Sequence, residues 1–307
     1  MQPLVSICCV TYNHAPFIRK CLDGFLMQET SFSVEILIHD DASTDGTDEI
    51  IREYTAKHPD KIFPLYEEEN KYSNGYANKI DLFNYSRARG KYIAYCEGDD
   101  YWTDPLKLQK QVDFMESHPE FSVCWHRCQQ WFVDSGTFVD DRCDAVIPAG
   151  KEGVEIDLNT YFSGWYTQPL TMLFRLSMYD AQWREQYRYY RDEHELYHLL
   201  KQGKGYLFAF RGGVYVKHGG GIYSSLANNV QGDTSLKVAR ELYEVNRDEY
   251  TRQFYCTNLQ WQIYENTHCF RKRWQYSWEL FHIEFKVKRL IRNLTRGRLR
   301  TKAIGCK

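Results

Sequence analysis

The sequence predicts an α/β fold in which a mostly parallel sheet is flanked by helices and followed by a helical C-terminal extension. In the first half of the 307 residues, short apolar runs alternate with amphipathic segments and are joined by short turns. This alternation is typical of βαβ units, whose strands lie parallel. From about residue 233 onward the apolar residues recur only at helical spacing, so no strand is expected there.

The predicted strands are apolar runs rich in Val, Ile and aromatic residues, each bounded by turn residues or by a helical segment. The first follows Pro3 and covers residues 4–12. Further strands are predicted at residues 34–39, 61–66, 91–96, 121–126, 170–174, 205–208 and 213–216.

The predicted helices lie between these strands, at residues 17–27, 47–58, 78–89, 105–117, 177–186 and 193–202. Residues 43–45 are N-cap candidates for the second helix, ahead of Asp48 and Glu49 in its first turn. Pro105 suits the first helical position of the fourth, because an amide hydrogen there would have no partner within the helix.

The composition is that of an ordinary globular protein, with 43% apolar and 26% charged residues. The first ten residues lack a basic region and a small-residue cleavage site, so they predict a buried strand rather than a signal peptide. No stretch approaches the roughly 18 apolar residues of a membrane-spanning helix. Ten cysteines are scattered without Cys-x-x-Cys pairs, which favours reduced thiols and a cytoplasmic protein.

The net charge of −2 hides a basic C-terminus. Residues 285–307 hold nine Lys or Arg and no acidic residue, leaving 30 basic against 41 acidic residues in the remainder. Apolar residues recur at nearly helical spacing across residues 281–294, a pattern that favours peripheral binding to an anionic membrane. The alternative is a solvated terminal helix with a frayed basic end.

Two acidic clusters follow predicted strands. Asp40 and Asp41 follow the second strand, and Glu97, Asp99 and Asp100 follow the strand at 91–96. Strand ends of an open α/β sheet form the edge where ligands bind, and crowded carboxylates favour a hard cation such as Mg²⁺ or Mn²⁺. The alternative is a pair of solvated acidic turns or, for the first cluster, a helix start.

Three segments in order carry a more specific signal: residues 3–13 (PLVSICCVTYN), 40–47 (DDASTDGT) and 97–100 (EGDD). Together they resemble the family 2 glycosyltransferases, inverting enzymes that use nucleotide sugars and have the Rossmann-like GT-A fold. The first resembles that family's first strand and nucleotide-contacting turn, the second its second-strand motif, and the third its metal-binding DXD region. The ordered set is more specific than a single acidic pair.

The resemblance implies a nucleotide pocket near the first two motifs. Thr11 and Tyr12 would line this pocket, and Asp40 or Asp41 would contact the base. Asp99 would coordinate the Mg²⁺ or Mn²⁺ that bridges the diphosphate.

The other residues of the third motif have different implied roles. Glu97 stands where the family often has the first Asp of DXD. Whether it contacts the ribose, the metal through a water, or neither stays open. Gly98 belongs to the same nucleotide-binding set. Asp100 suits a loop anchor that accepts hydrogen bonds from backbone N–H groups.

An inverting transfer needs a base for the acceptor hydroxyl. The resemblance points to Asp192, eleven residues before Gly203, or to Glu193 if the motif is aligned one residue later. The alternative without a catalytic role is that both residues only cap the helix. His218, which opens a His-Gly-Gly-Gly run, would contact the diphosphate and the metal. Trp165 and Gln168 would line the acceptor pocket.

The resemblance implies transfer of one sugar to a glycan or lipid-linked acceptor, with a UDP-sugar favoured by analogy, no nucleic acid partner, and a role in surface polysaccharide synthesis. Residues 1–225 would form the GT-A domain, with a nucleotide half at 1–120 and an acceptor half at 121–225; residues 226–307 would form the helical extension. The alternatives are a non-catalytic nucleotide-binding module and a sugar nucleotidyltransferase. The latter would need a glycine-rich basic loop after the first strand, which residues 11–16 lack.

Overall fold

A single mixed sheet organises the computed structural model, which describes residues 2–76, 81–164, 167–221, 227–266 and 268–284. Ten strands within these ranges belong to the sheet. Their bounds are β1 Val5–Thr11, β2 Val34–Asp40, β3 Ile62–Tyr66, β4 Tyr92–Glu97, β5 Tyr101–Trp102, β6 Phe121–Phe132, β7 Thr137–Asp140, β8 Gly153–Ile156, β9 Leu173–Arg175 and β10 Lys204–Lys217.

The α-helices of the described residues alternate with the early strands and then dominate the C-terminal part. Their bounds are α1 Ile18–Leu26, α2 Thr47–Lys57, α3 Leu82–Tyr85, α4 Lys107–Ser117, α5 Leu158–Ser163, α6 Asp192–Gln202, α7 Asn228–Asn246, α8 Glu249–Glu265 and α9 Phe270–Glu284. None of these described helices has the length and apolarity needed to cross a membrane.

The first four long strands run parallel in the order β3-β2-β1-β4, and they set the position of the acidic clusters. Thr11 pairs with Asp40, and Val10 pairs with Glu97. The carboxyl ends of β1, β2 and β4 therefore lie side by side, with both acidic clusters on the same edge of the sheet.

The sheet continues through β9, which is antiparallel to both β4 and β6. The 14-residue strand β10 then runs parallel to β6, with register shifts along its length. Strand β5, directly after the second acidic cluster, pairs antiparallel with Gly213 and Val214 of β10. This pairing carries the end of β10 toward residues 97–100.

The core between the sheet and its helices follows from the sequence periodicity. Helix α1 buries Ile18, Cys21, Leu22 and Phe25, which share one helical face. A Cβ on Gly24 would lie 2.9 Å from the backbone nitrogen of Trp102, so glycine permits this close packing. Among the described residues nine cysteines carry free thiols, and eight of these are buried.

The chain divides into two compact units, of which the first comprises residues 1–185 and 195–221. The second comprises residues 186–194 and 222–307, and its described helices α7, α8 and α9 have their own core. Asp248 caps α8 by accepting a 2.9 Å hydrogen bond from the backbone of Thr251. The core of this unit contains Leu236, Ala239, Tyr255, Cys256, Leu259, Ile263, Tyr276 and Leu280.

Several predicted elements differ in extent. The predicted strands 205–208 and 213–216 are one strand, and the predicted helix 177–186 is two short 3₁₀ turns. Helix α4 begins after Pro105, at Lys107, and the helix predicted at 78–89 covers only Leu82–Tyr85 within the described part. Helix α2 begins after Gly46, whose φ of 93° is left-handed; Asp45 still accepts a 3.1 Å hydrogen bond from the backbone of Thr47.

Candidate functional site

The site begins where the loop after β4 passes under the end of β1. The backbone N–H of Gly98 donates to the carbonyl of Val10 at 2.9 Å. A Cβ on Gly98 would lie 2.6 Å from Thr11 Oγ1 and 3.0 Å from His14 Nδ1. Glycine is therefore required for the loop to approach this closely, and it brings Asp99 to the open edge of the sheet.

Asp99 lies at the centre of a cluster with two histidines from distant parts of the chain. His218 Nε2 is 3.0 Å from Asp99 Oδ2, and His14 Nε2 is 3.8 Å from the same oxygen. The other oxygen, Oδ1, is buried and has no hydrogen-bond partner among the described residues. His218 also packs on Phe17, with ring centroids 4.6 Å apart.

Asp99 and Asp100 are neighbours with opposite pKa shifts. Burial acts to raise the pKa of Asp99, but the hydrogen bond with His218 and the charges of His14 and His218 outweigh it, so the pKa is lowered. Burial and the neighbouring Asp99 and Glu97 raise the pKa of Asp100 well above its ordinary value. Asp100 Oδ1 accepts a 2.7 Å hydrogen bond from the backbone of Val216, which confirms its predicted role as a loop anchor.

His14 is held by a network between the loops after β1 and β2. Asn13 has a positive φ of 55°, and its side chain accepts a 2.8 Å hydrogen bond from the backbone of Thr44. The backbone N–H of His14 donates to Thr47 Oγ1 at 2.8 Å, and that of Ala15 donates to Asp45 Oδ2 at 3.0 Å. These bonds fix the turn and aim the imidazole at Asp99.

The sequence reasoning missed His14 as a member of the site. Its position two residues beyond Tyr12, at the carboxyl edge of β1, was the available signal. Burial lowers the pKa of His14 more than attraction to Asp99 raises it. The ring therefore favours the neutral form, in which an imidazole nitrogen can bind a metal.

Asp40 and Asp41 are both buried at the end of β2 and face different partners. Asp40 Oδ1 accepts a 2.6 Å hydrogen bond from Ser43 Oγ. Burial raises the pKa of Asp40 in spite of the hydrogen bonds from Ser43. The two oxygens of Asp41 accept from the backbone N–H groups of Lys71 and Tyr72, at 2.6 and 3.0 Å. Asp41 thus also holds the segment after β3 in place.

The donor set near Asp99 suits a divalent cation. Candidate ligand atoms of His14, Asp99 and His218 lie within 4.8 Å of one another, and so do those of Glu97, Asp99 and Asp100. An unpartnered buried carboxylate oxygen beside two imidazoles fits a metal better than a solvated acidic turn. Imidazole ligands favour Mn²⁺ over Mg²⁺, which prefers oxygen.

The two candidate bases lie at the start of α6, in the second unit. Asp192 is the first residue of the helix, which ends at Gln202 just before Gly203. Glu193 Oε2 lies 3.9 Å from Arg191 Nε and is buried, with no hydrogen-bond partner in the described part of the chain. Both side chains are half-buried, so each can meet a ligand.

Helix α7 holds the segment that leads to these carboxylates. Glu241 accepts hydrogen bonds from the backbone N–H groups of Arg188 and Tyr189, at 2.7 and 2.9 Å. His194 Nε2 lies 3.6 Å from Glu241, and the His194 ring packs on Tyr187 with centroids 4.3 Å apart. We call these contacts of Glu241 the α7 clamp; sequence reasoning gave no sign of it.

The remaining predicted positions are less defined. Thr11 is buried at the end of β1, and its hydroxyl has no hydrogen-bond partner among the described residues; Tyr12 is exposed. Gln168 precedes a short 3₁₀ turn, where its carbonyl accepts a 2.7 Å hydrogen bond from Thr171 Oγ1. Trp165 lies outside the described residues.

Comparison with curated proteins shows relatives that match the N-terminal part. The chain is 51% identical over 130 residues to an uncharacterised protein of Mycobacterium tuberculosis, covering 42% of this chain and 36% of that protein. It is 37% identical over 114 residues to TuaG of Bacillus subtilis, a putative teichuronic acid biosynthesis glycosyltransferase, covering 37% and 42%. The chain therefore spans less than half the length of each of these relatives.

Comparison with solved structures shows likeness over nearly the whole chain. Staphylococcus aureus TarS, residues 1–349 with UDP-GlcNAc, superposes with a TM-score of 0.63 at 16% identity, covering 99% of this chain and 92% of that chain. The mannosyltransferase PcManGT of Pyrobaculum calidifontis, solved with GDP-Man and Mn²⁺, gives a TM-score of 0.54 at 15% identity, covering 100% and 77%. The likeness confirms the predicted GT-A fold.

The family comparison covers the part of the chain that carries the three sequence motifs. Residues 6–175 match the model of glycosyl transferase family 2. This stretch is more than half of the chain, and it includes all of β1 except Val5, both acidic clusters and the strands up to β9. The protein belongs to glycosyl transferase family 2.

Proposed function

We propose that the protein transfers a single sugar, with inversion, from a nucleoside diphosphate sugar to a hydroxyl of a glycan or lipid-linked acceptor. The observation that carries the proposal is the Asp99 carboxylate: His14 and His218 both approach its Oδ2, while its Oδ1 is buried and has no hydrogen-bond partner among the described residues. Family membership and the ligands of TarS and PcManGT support a nucleotide-sugar donor. The TuaG match supports a role in surface polysaccharide synthesis.

Asp99, His218 and His14 would hold a divalent cation, with Mn²⁺ favoured by the two imidazoles and Mg²⁺ as the alternative. When bound, such a cation offsets the negative charge on a departing diphosphate. Glu97, half-buried at the end of β4, would contact the ribose, a water of the ion, or neither.

The nucleotide would bind along the ends of β1, β2 and β4. The buried hydroxyl of Thr11 has no hydrogen-bond partner among the described residues and could bond to the nucleotide. Tyr12 offers an exposed ring on which a base can stack. Asp40 and Asp41 offer carboxylate oxygens to a base N–H. Gly98 would contribute indirectly, because it lets the loop after β4 pack against Thr11 and His14.

The metal assignment is tested with Asp99→Asn. We expect Mn²⁺-dependent hydrolysis of UDP- and GDP-sugars to fall at least about a hundredfold, because the charged ligand is lost. Direct binding of Mn²⁺, read by electron paramagnetic resonance, should weaken in parallel. Asp60→Asn, at an exposed turn, is the control and should behave as the unchanged protein. Undiminished donor hydrolysis by Asp99→Asn contradicts the metal site. If the unchanged protein binds nucleotide but hydrolyses no donor, the non-catalytic binding module is favoured instead.

The base is identified by comparing Asp192→Asn with Glu193→Gln. The variant that removes the base should lower the transfer rate about a hundredfold or more and abolish the acidic limb of its pH profile. The other variant should keep both the rate and the limb. Two unaffected variants, or a product with the donor's anomeric configuration, contradict the inverting mechanism.

A further inference from the structure

Helix α9 has two different faces, both rich in large side chains. One face carries Arg273, Tyr276, Ser277 and Leu280, which are buried within the second unit. Tyr276 and Leu280 belong to the core that α9 shares with α7 and α8. This face explains why the helix packs where it does, but Phe270, Trp274 and Trp278 lie outside it.

The outer face of α9 carries an exposed aromatic stripe of Phe270, Trp274 and Trp278, spaced four residues apart. Phe270 is 62% exposed, Trp274 43% and Trp278 42%. The two indole rings stack, with centroids 5.4 Å apart, and Phe281 lies 5.7 Å from Trp278. Residues four apart share a helical face, so these rings form one continuous surface. We call it the α9 stripe.

Positive charge accompanies the α9 stripe. Arg271 and Lys272 are exposed on the same helix. The sequence that follows Glu284 holds nine Lys or Arg and no acidic residue, although its structure lies outside the described residues. An aromatic surface followed directly by a basic segment complements a membrane, whose interface accepts tryptophan rings and whose anionic headgroups attract cations.

We propose that the α9 stripe docks the protein on an anionic lipid surface, with Trp274 and Trp278 at headgroup depth and Arg271 and Lys272 near the phosphates. Tryptophan suits this position because its large apolar ring also carries one polar N–H. A symmetric dimer through the same stripe would bring two copies of Arg271 and Lys272 to one interface, where like charges repel. The proposal does not depend on the transfer reaction.

The test is sedimentation of the full chain with phosphatidylcholine vesicles, with and without phosphatidylglycerol. We expect binding to the anionic vesicles, weakened by salt, and much less binding to the neutral ones. The double variant Trp274→Ser/Trp278→Ser should bind the anionic vesicles at least about tenfold more weakly. Tyr264→Ser, which removes another exposed aromatic ring from helix α8, is the matched control and should bind normally.

Three outcomes overturn the proposal. One is equal vesicle binding by the double variant and the unchanged protein, and another is equal binding to neutral and anionic vesicles. The third is self-association that the double variant abolishes in the absence of any vesicle binding, which assigns the stripe to a second copy of the chain. Circular dichroism and thermal unfolding of each variant confirm that the loss of binding is not a loss of fold.

Discussion

Lys107 is a buried cation that no role in the proposed reaction explains. Its side chain is fully buried at the start of α4, and Nζ lies 3.6 Å from the centroid of the Trp102 ring. Nζ has no hydrogen-bond partner among the described residues. Burial lowers the pKa of Lys107 to about 7, although the neighbouring thiols of Cys96 and Cys124 act to raise it. Burial lowers the pKa of the neighbouring His126 well below its ordinary value, and the charge of Lys107 lowers it further.

We predict that Lys107→Met stabilises the protein at neutral pH. In the native state Lys107 loses its proton near pH 7, whereas in the unfolded chain it keeps the proton to about pH 10.4. Between these values the unfolded state binds more protons, so this residue makes stability rise with pH. Replacing it should add on the order of 1–4 kcal/mol at pH 7, with less gain near pH 10.

Thermal unfolding across this pH range checks the prediction for Lys107. The control is Lys110→Met, which removes an exposed ion pair with Asp104 on the same helix and should change stability by less than about 1 kcal/mol. An unchanged pH slope in Lys107→Met, together with an unchanged or lower unfolding temperature, contradicts the account.

At the scale of elements, the α7 clamp joins a helix of the C-terminal extension to the segment that precedes the candidate bases. Glu241 pairs with two backbone N–H groups and lies beside His194. Asn246, on the same helix, donates to the hydroxyl of Tyr187 at 2.8 Å. Burial acts to raise the pKa of Glu241, but the bonds with His194, Tyr189 and Arg188 lower it. The helix thus fixes the start of α6 from two points.

We predict that Glu241→Ala lowers the transfer rate at least about tenfold while the donor KM stays within about twofold. The backbone groups of Arg188 and Tyr189 would lose their acceptor, at a cost of about 1–3 kcal/mol each, and the base would lose its fixed position. Steady-state kinetics and thermal unfolding measure the two effects. Glu244→Ala, at an exposed position on α7, is the control. A rise in KM with an unchanged rate contradicts a positioning role.

Most elements of the N-terminal half were predictable, because its strands are short apolar runs between amphipathic helices. The prediction divides β10 into strands 205–208 and 213–216, with Gly212 in the gap and Gly213 at the start of the second. A Cβ on Gly213 would lie 2.7 Å from Leu170 Cδ1, so the glycine serves close packing within a strand. Sequence alone does not distinguish a glycine that bends the chain from one that admits a neighbour.

At the scale of the whole molecule, the candidate site combines residues that lie far apart in sequence. Asp99 and Asp100 were visible as a cluster, but His218 entered only through the family resemblance. The contact between Asp99 and His218 depends on the pairing of β10 with β5 and β6. Such pairing has no local signature, since it is decided by tertiary packing.

The sequence pattern did not reveal that the second unit includes a short upstream segment. A boundary near residue 225 follows from the change in sequence pattern, yet residues 186–194 group with the C-terminal helices. The contact of His194 with Glu241 and the hydrogen bond of Asn246 with Tyr187 account for this grouping. No composition shift marks that segment, because its aromatic residues resemble those of its neighbours.

The second unit consists of two separate stretches of the sequence, which limits how recombination can exchange it. A single recombination point near residue 222 would replace α7 while leaving residues 186–194 behind, and so would part Glu241 from the backbone that it holds. A chimaera that keeps Glu241 with the backbone it holds must exchange two segments. One is the C-terminal helices, and the other is only nine residues long, residues 186–194. Descendants of this chain are therefore expected to exchange their C-terminal helices together with that short upstream piece, or not at all.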